Sequence, residues 1–227
     1  TPASPMLRSL VGSEMCIRDR FITSAQRTAV GSLNKSLKNV QADSLGSEVI
    51  SSVVKNSKIK PENVDEVIMG QVLTGGMGQN PARKAAINSG IPKEKPAYIV
   101  NQVCGSGIRS IASGFQSIKS QDSKIVIAGG HENMSLAPHA IHLRDGKKLG
   151  DVEIIDTMIR DGLWDAFNGY HMGVTAENVA EKFQITREAQ DKFALRSQEK
   201  ALAAQKQNKF KEEIIDYKIK SKKTEIN

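Results

Sequence analysis

Cysteine is scarce in this sequence and long hydrophobic runs are missing, and each absence excludes a class of protein. The 227 residues include two cysteines, Cys16 and Cys104, which lie far apart and give no disulfide framework. Such cysteine usage is typical of a reducing compartment, so we expect a cytoplasmic protein. No apolar run approaches the roughly 18 residues that a membrane-spanning helix needs, so we expect no membrane partner.

Aromatic residues are also scarce, which bears on how the positive charge is interpreted. The sequence has a formal net charge of +7 but only one tryptophan and three tyrosines on which nucleic-acid bases could stack. A basic chain can bind nucleic acid, a membrane surface or an anionic ligand. Because the lysines are spread along the sequence, we interpret them as a solvated surface and expect no nucleic-acid partner. Nucleic-acid binding stays an alternative that rests on charge alone.

The first 20 residues differ from the rest of the sequence. They show no sustained hydrophobic period, and Arg8 interrupts the apolar stretch that a signal peptide would need. We therefore predict that residues 1–20 are an extension foreign to the fold, either artefactual or disordered. Cys16 lies within this extension, and we assign it no role.

The next part of the sequence alternates between predicted strands and helices. The stretch RFITSAQRTAVG predicts a short strand that ends in a turn at Gly31. Asp43 is a candidate N-cap for a helix that runs to about Asn56. Residues 64–73 are rich in β-branched and apolar side chains and predict a second strand.

A loop follows at residues 74–79, and Asn80 with Pro81 then predicts the start of a helix that Gly90 stops. Three further elements are predicted: a short buried strand at 97–100, a helix at about 104–120 and a strand at 123–130. The helix carries one apolar face, made of Ile108, Ile111, Ala112, Phe115 and Ile118. The length of this strand–helix–strand unit fits a βαβ crossover, so we predict an α/β fold with a parallel sheet.

The regular alternation of predicted strands and helices ends after Gly130. The stretch that follows is mostly irregular, with a short helical phase near 153–161, and we interpret it as a long insertion. Thr175 and Thr186 are candidate caps of two later helices, the second of which runs to about Lys206. The tail that begins at Lys209 alternates poorly, and we expect it to belong to a domain that continues beyond this sequence.

Cys104 stands at a predicted strand–helix corner in the stretch NQVCGSGIRSI, residues 101–111. Unpaired backbone N–H groups at a helix N-terminus stabilise a thiolate, and Gly105 and Gly107 remove side chains beside the sulfur. A bulky acyl group could therefore approach the thiol, as at a nucleophile elbow. The alternative interpretation is a buried structural cysteine at a tight turn.

Other motifs in the sequence are weaker. The stretch GSGIRS lacks the third glycine of a dinucleotide fingerprint, and TGGMGQNPARK lacks the lysine and hydroxyl residue of a P-loop. His139 and His142 are spaced to share a helix face, but no further metal ligands accompany them. A lone histidine such as His171 is more often a structural residue than a catalyst.

Four stretches in order, GQNPARKAA, NQVCGSGIRSI, AGGHENMSLAPH and DGLWDAFNGYHMGVTAENVAEKF, together resemble the thiolase family, in its acetyl-CoA acetyltransferase branch. The resemblance implies an α/β fold, a layered βαβαβ half with an inserted loop domain. It implies that residues 21–135 are most of the N-terminal α/β domain and that residues 136–227 are the first part of the loop domain. The second half of such an enzyme is then absent, so the fold is truncated.

The resemblance also implies a reaction and its residues. Cys104 is the nucleophile that an acyl-CoA acylates, after which a second acetyl-CoA condenses with the acyl group to give acetoacetyl-CoA, or the reverse thiolysis occurs. Leu163, His171 and Met172 would line the pantetheine pocket, although plain core packing is the alternative for Leu163 and Met172. Coenzyme A thioesters are substrates here, and no cofactor is expected. The family's second cysteine, G-H-P histidine and N-E-A-F asparagine do not occur in this sequence.

The resemblance leaves two functional alternatives open. One is a degradative 3-ketoacyl-CoA thiolase of fatty-acid breakdown, although SLAPH and GYHMGVTAENVA favour the short-chain type. The other is an inactive fragment, because the nucleophile is present without its base, and an incomplete sheet exposes apolar faces. The resemblance further implies a homotetramer or homodimer. The stretch around Arg144, Lys147 and Lys148 resembles the hairpin that joins dimers into tetramers.

Overall fold

The computed structural model describes residues 20–219, in which a small parallel sheet lies between helices and a long segment of short elements follows. The predictions for residues 1–19, including the lack of a role for Cys16, lie outside the described residues. The helices are α1 (Ala42–Asn56), α2 (Pro81–Asn88), α3 (Ser106–Ser120), α4 (Thr157–Gly162), α5 (Met172–Lys182) and α6 (Arg187–Lys206). The strands are β1 (Glu66–Gly70), β2 (Ala97–Val100), β3 (Val126–Gly130), β4 (His139–Ala140), β5 (Ile155–Asp156), β6 (Trp164–Asp165) and β7 (Tyr170–His171). Single-turn 3-10 helices occupy Pro61–Asn63 and Met134–Leu136. Within the described part of the chain, no helix is both long and apolar enough to cross a lipid bilayer.

The main sheet has the strand order β2-β1-β3, and β1 is parallel to both of its neighbours. This confirms the predicted α/β fold with a parallel sheet. β1 lies in the centre because its apolar run can be covered on both faces, and Val67 and Ile68 are fully buried. β2 pairs with β1 along one edge only, so its residues are half-buried or exposed. The prediction that β2 is a buried strand is therefore wrong.

Helices α1 and α2 cover one face of this sheet and form the core with it. Asn80 caps α2 as predicted, since its side chain accepts a hydrogen bond from the backbone N–H of Arg83 at 3.1 Å. Gly90 follows the helix with a φ of 91°, a conformation that favours glycine. The buried core cluster consists of Ile50, Val54, Val64, Val67, Met69, Ala82, Ala85, Ala86, Ile91 and Ile127.

Helix α3 covers the other face, and it does so with its small residues. Ser106, Ser110 and Gly114 are buried, and a Cβ at residue 114 would lie 3.0 Å from Cγ1 of Val126. The apolar stripe of α3 points away from the sheet: Ile108, Ile111 and Phe115 are exposed, at 77%, 50% and 49%. The apolar face was correctly identified from the sequence, but it is not the face that packs on this sheet.

Two predictions near the start of the described chain are wrong. Residues 20–31 form no strand; within them, only Arg27 makes an isolated bridge, to Ile214. Asp43 does not cap α1, because the N-cap position lies two residues earlier, at Gln41. Asp43 is instead buried in the first turn, where its carboxylate forms an ion pair with Lys84 at 2.7 Å.

The segment after β3 contains short ladders and exposed helices. β4 pairs with β5 and β6 with β7, both antiparallel, and the sequence did not reveal these two-residue strands. Helix α4 confirms the short helical phase. Helix α5 begins at Met172 with His171 as its N-cap, so Thr175 lies inside the helix and the predicted cap is wrong. Thr186 caps α6 as predicted, accepting from the N–H of Ala189 at 3.2 Å.

Candidate active site

The carboxyl ends of the three parallel strands meet at one edge of the sheet, where helix α3 begins. The backbones come very close there, because glycine ends β1 and β3. A Cβ at Gly70 would lie 2.4 Å from the carbonyl carbon of Ser106, and one at Gly130 would lie 3.5 Å from the Cα of Gly107. These glycines allow the first turn of α3 to rest directly on the strand ends, in the position where open α/β sheets bind ligands.

Cys104 lies at this edge as an exposed free thiol. Helix α3 begins at Ser106 with Gly105 as its N-cap, so Cys104 is the residue immediately before the N-cap. Cys104 therefore lies just before the positive dipole end of a 15-residue helix. Cys104 is exposed in this chain, which contradicts the buried structural cysteine, and its role as a nucleophile stays a prediction.

The turn that leads into Cys104 is strained and densely hydrogen-bonded. Val103 has a φ of 48°, in the left-handed region that β-branched residues rarely adopt. The side chain of Asn101 accepts from the N–H of Val103 at 2.9 Å. The hydroxyl of Ser106 accepts from the N–H of Gln102 at 2.9 Å and donates to the carbonyl of Val103 at 2.6 Å.

Three polar residues follow β3 at the same edge, His131, Glu132 and Asn133, and the side chains of the last two hold backbone. Glu132 accepts hydrogen bonds from the N–H groups of Val72 and Leu73 at 2.9 and 3.1 Å. Asn133 donates to the carbonyls of Leu37 and Val40, which ties the loop before α1 to the end of β3. Across residues 20–219, no three His, Cys, Asp or Glu side chains are grouped so as to hold a metal ion.

His131, the first of these three residues, is a buried neutral imidazole. Its Nε2 lies 2.9 Å from Oε1 of Gln71, and the Gln71 amide donates to the carbonyl of Leu73. Burial lowers the pKa of His131 from 6.5 to about 4; Asp43 opposes this shift and Lys84 adds to it. A Cβ at Gly46 would lie 2.3 Å from Nδ1 of His131, so glycine at 46 makes room for the ring.

The predicted pantetheine residues come together in one hairpin. Leu163 and Met172 flank the β6–β7 ladder, and the N–H of Met172 donates to the carbonyl of Leu163 at 2.8 Å. His171 caps α5 by accepting from the N–H of Gly173 at 2.9 Å. Leu163 is half-buried, whereas Met172 is 43% exposed. Full core packing is thus excluded for Met172 in this chain.

The turn of this hairpin is organised by Asp165. Its carboxylate accepts from the side chain of Asn168 and from the backbone N–H groups of Asn168 and Phe167, at 2.8 to 3.0 Å. These bonds, with the side chain of Asn168 contributing most, lower the pKa of Asp165. The end of α4, which leads into this hairpin, approaches Leu73 near the sheet edge, since a Cβ at Gly162 would lie 3.7 Å from Cδ2 of Leu73. Leu73 is the residue that Glu132 holds by its N–H.

Sequence reasoning located Cys104 but missed the residues that build its turn. The roles of Asn101, Ser106 and Glu132 depend on contacts that a spacing pattern does not encode. One signal was available: an asparagine two residues before a backbone N–H is a common Asx-turn arrangement, and Asn101 stands in that relation to Val103. The left-handed conformation of Val103 had no such signal, because valine disfavours it.

Comparison with known proteins gives the family. The sequence model of the family described as "Thiolase, N-terminal domain" matches residues 20–227. Acetyl-CoA acetyltransferase of Rhizobium meliloti (strain 1021) is 55% identical over 206 residues, which cover 91% of this chain and 52% of the relative. The protein of the same name from Paracoccus denitrificans is 55% identical over 204 residues, covering 90% and 52%. Acetyl-CoA acetyltransferase, cytosolic, of Rattus norvegicus is 52% identical over 202 residues, covering 89% and 51%. The chain thus spans about half the length of the curated relatives it matches.

Proposed function

Because this chain belongs to the thiolase family through its N-terminal domain, we propose that the protein to which it belongs is an acetyl-CoA C-acetyltransferase. The reaction is the Claisen condensation of two acetyl-CoA molecules to acetoacetyl-CoA, and its reverse is thiolysis. The observation that carries the proposal is the exposed thiol of Cys104 at the N-terminus of α3, at the carboxyl edge of the sheet.

The proposed mechanism has two transfers through Cys104. In the first, the thiolate attacks the thioester carbonyl of acetyl-CoA, and coenzyme A leaves as the thiol after taking up a proton. In the second, a base removes a proton from the methyl group of another acetyl-CoA, and the resulting carbanion attacks the acyl carbon. The bond to sulfur breaks, and Cys104 leaves as the thiolate. The base and the groups that stabilise the enolate would come from the half of the protein that this chain does not span.

We propose that the β6–β7 hairpin binds the pantetheine arm of the coenzyme A thioester, through Leu163, His171 and Met172. The half-exposed side chain of Met172 and its backbone bond to Leu163 support this proposal, because they give an apolar surface in a fixed hairpin. Coenzyme A enters and leaves as part of the substrate, so the proposed reaction needs no cofactor.

The proposal extends to organisation, assembly and location. We propose that residues 21–135 belong to the α/β domain and residues 136–227 to an inserted loop domain, both incomplete here, and that residues 1–20 lie outside them. The whole enzyme would be a homotetramer or homodimer, and the exposed loop between β4 and β5, with Arg144, Lys147 and Lys148, is a candidate tetramer contact. The relatives named cytosolic support a cytoplasmic location. Nucleic acid and membranes are not among the proposed partners.

Two alternatives remain testable. A degradative 3-ketoacyl-CoA thiolase would use the same nucleophile on longer chains, but the relatives reported above are named as acetyl-CoA acetyltransferases, which favours the short-chain reaction. We also propose that the isolated chain is inactive. The exposed apolar stripe of α3, formed by Ile108, Ile111 and Phe115, supports this, because such a stripe is suited to burial against further protein.

The test of the proposed function uses the complete protein and the Cys104→Ser variant. We expect acetyl transfer and thiolysis to fall by about a thousandfold or more, because a hydroxyl is a far weaker nucleophile than a thiolate. Intact-mass analysis after incubation with acetyl-CoA should show one added acetyl group in the wild type and none in the variant. Cys16→Ser is the matched control and should keep full activity.

Full activity in the Cys104→Ser protein would contradict the mechanism. Rates with acetoacetyl-CoA and with a longer 3-ketoacyl-CoA separate the two enzyme assignments. A preference for acetoacetyl-CoA in kcat/KM supports the acetyltransferase, and a preference for the longer thioester supports the degradative enzyme.

A further inference from the structure

Val103, the residue before the proposed nucleophile, has a backbone conformation that valine disfavours. Val103 has a φ of 48° and is a β-branched residue, for which the left-handed region is a genuine outlier. Its side chain is 47% exposed, so core packing does not impose the conformation. Strain of this kind persists only where surrounding contacts over-determine the backbone, and it clusters at functional sites.

Ser106 supplies one set of those contacts. Its hydroxyl accepts from the N–H of Gln102 at 2.9 Å and donates to the carbonyl of Val103 at 2.6 Å. The backbone N–H of Ser106 also donates to the carbonyl of Val103, at 3.1 Å. Ser106 itself is only 4% exposed and lies against Gly70 of β1, so its contact with the central strand fixes the position of its hydroxyl.

Asn101 supplies the second set. Its Oδ1 accepts from the N–H of Val103 at 2.9 Å, and its Nδ2 donates to the carbonyl of Val72 at 3.4 Å. Val72 is in turn fixed by its N–H, which donates to the carboxylate of Glu132 at 2.9 Å. Both polar backbone groups of Val103 are therefore occupied, the N–H by Asn101 and the carbonyl by Ser106.

We propose that Ser106 and Asn101 are positioning residues, which hold Val103 in the left-handed conformation and so present the Cys104 thiol beside the first turn of α3. The proposal rests on the proposed role of Cys104 as the nucleophile. A change of Val103 to an ordinary negative φ would alter the chain direction one residue before the sulfur. The thiol would then leave its exposed place beside the first turn of α3, where a reagent can reach it.

Glycine at position 103 offers a way to separate positioning from general stability. Glycine adopts positive φ about as readily as negative φ, so Val103→Gly removes the strain that the two side chains must oppose. If the hydrogen bonds serve to hold a strained valine, they become dispensable once the strain is gone. The three residues are then energetically coupled, which a double-mutant cycle measures.

The experiment measures the alkylation rate of Cys104 by iodoacetamide in the complete protein, with peptide mapping so that only this cysteine is counted. We expect Ser106→Ala and Asn101→Ala each to slow alkylation by about tenfold, the factor that about 1.4 kcal/mol represents. Val103→Gly alone should stay within about twofold of the wild type. Combined with either alanine variant, it should restore the rate to within about threefold.

Two further variants guard against a purely structural effect. Ser110→Ala removes another buried hydroxyl of α3, one that donates to the carbonyls of Gly107 and Gly129 and does not touch the turn, and it should alkylate like the wild type. Asn101→Asp keeps the acceptor for the N–H of Val103. Because residue 101 is exposed, substitutions there should still fold, so they test the positioning role even if Ser106→Ala fails to fold. We expect Asn101→Asp to react at close to the wild-type rate.

The proposal is overturned if Ser106→Ala and Asn101→Ala alkylate at the wild-type rate, if glycine at 103 does not restore them, or if Ser110→Ala slows alkylation equally. Alkylation needs neither a base nor a second substrate, so it is independent of the proposed reaction. A protein that shows the expected coupling but transfers no acetyl group contradicts the proposed function and supports the positioning role. Loss of acetyl transfer in Ser106→Ala or Asn101→Ala, without any change in the alkylation rate of Cys104, contradicts the positioning role alone.

Discussion

The part of the chain from α1 to β3 and the part from β4 onward differ in how their structure is supported. Every residue of the buried hydrophobic core lies between Ala42 and Ile127. From residue 132 to residue 219, no described residue is fully buried, and large side chains such as Phe167 and Phe193 are exposed at 100% and 66%. Yet this second part contains the longest described helix, α6, of 20 residues.

The difference shows that local signals are enough to define a helix, whereas burial is needed to fix where it packs. Helix α6 has the Thr186 cap and two exposed ion pairs at helical spacing, Arg187 with Asp191 and Lys192 with Glu188. Such pairs contribute only about 0.3–0.5 kcal/mol each. Helices α1 and α2, in contrast, are held by a shared core with β1.

The largest effect is expected from a matched pair of side-chain truncations, one in the core and one on the surface of α6. Ile50→Ala removes a side chain that is 1% exposed, and it should lower the free energy of unfolding by about 3 kcal/mol through lost burial and the cavity left behind. Leu202→Ala in α6 removes a side chain that is 56% exposed, and it should cost less than about 0.5 kcal/mol. Denaturant unfolding of this chain measures both.

An equal cost for the two substitutions would break the comparison, because it would mean that α6 is packed against other protein. The same pair measured in the complete protein sharpens the point. A cost for Leu202→Ala that rises only there would show that the remaining half, or another copy, covers α6.

The second prediction concerns pH and is confined to the first part. Because burial lowers the pKa of His131 from 6.5 to about 4, the unfolded chain binds a proton between these values and the folded chain does not. Stability should therefore fall as the pH drops from about 6.5 to 4, by about 3 kcal/mol from this group. His131→Gln should remove that part of the pH dependence, as measured by unfolding at a series of pH values.

His142→Gln is the matched control from the second part: it removes an exposed histidine and keeps His131, so the pH dependence assigned to His131 should persist. A slope that survives in His131→Gln would refute the assignment of the effect to His131.

The smallest effect is expected at a helix cap. Thr186→Ala removes the acceptor for the N–H of Ala189 and should destabilise α6 by about 1 kcal/mol. Because α6 contributes nothing to the buried core, hydrogen exchange of its amides should speed up while global unfolding hardly changes. Thr186→Ser keeps the hydroxyl and should exchange like the wild type. A loss of global stability equal to the local one would show that α6 is coupled to the core.

Sequence patterns correctly predicted the elements that have a local signal, such as an apolar run or a cap residue. β1 and β3 follow from apolar runs, α2 from Asn80 with Pro81, and α6 from Thr186. The predicted strand in residues 20–31 failed because pairing needs a partner, and only Arg27 finds one. The two-residue ladders of the later segment are too short to leave a period in the sequence.

The candidate site shows a similar division. Cys104 and its position near a helix start could be predicted from the motif, whereas the contacts of Ser106 and Asn101 depend on how the turn folds. The orientation of α3 could not be predicted either. Its apolar stripe is plain in the sequence, but the sheet below ends in glycine at Gly70 and accepts only small side chains at close range.

The orientation of α3 has a consequence for access to Cys104. Because α3 packs on its own sheet through serine and glycine, its apolar side remains available for contact with further protein. That side begins at Ile108, four residues and about one helical turn beyond Cys104. We therefore expect a protein surface that covers the stripe to limit access to the Cys104 thiol as well.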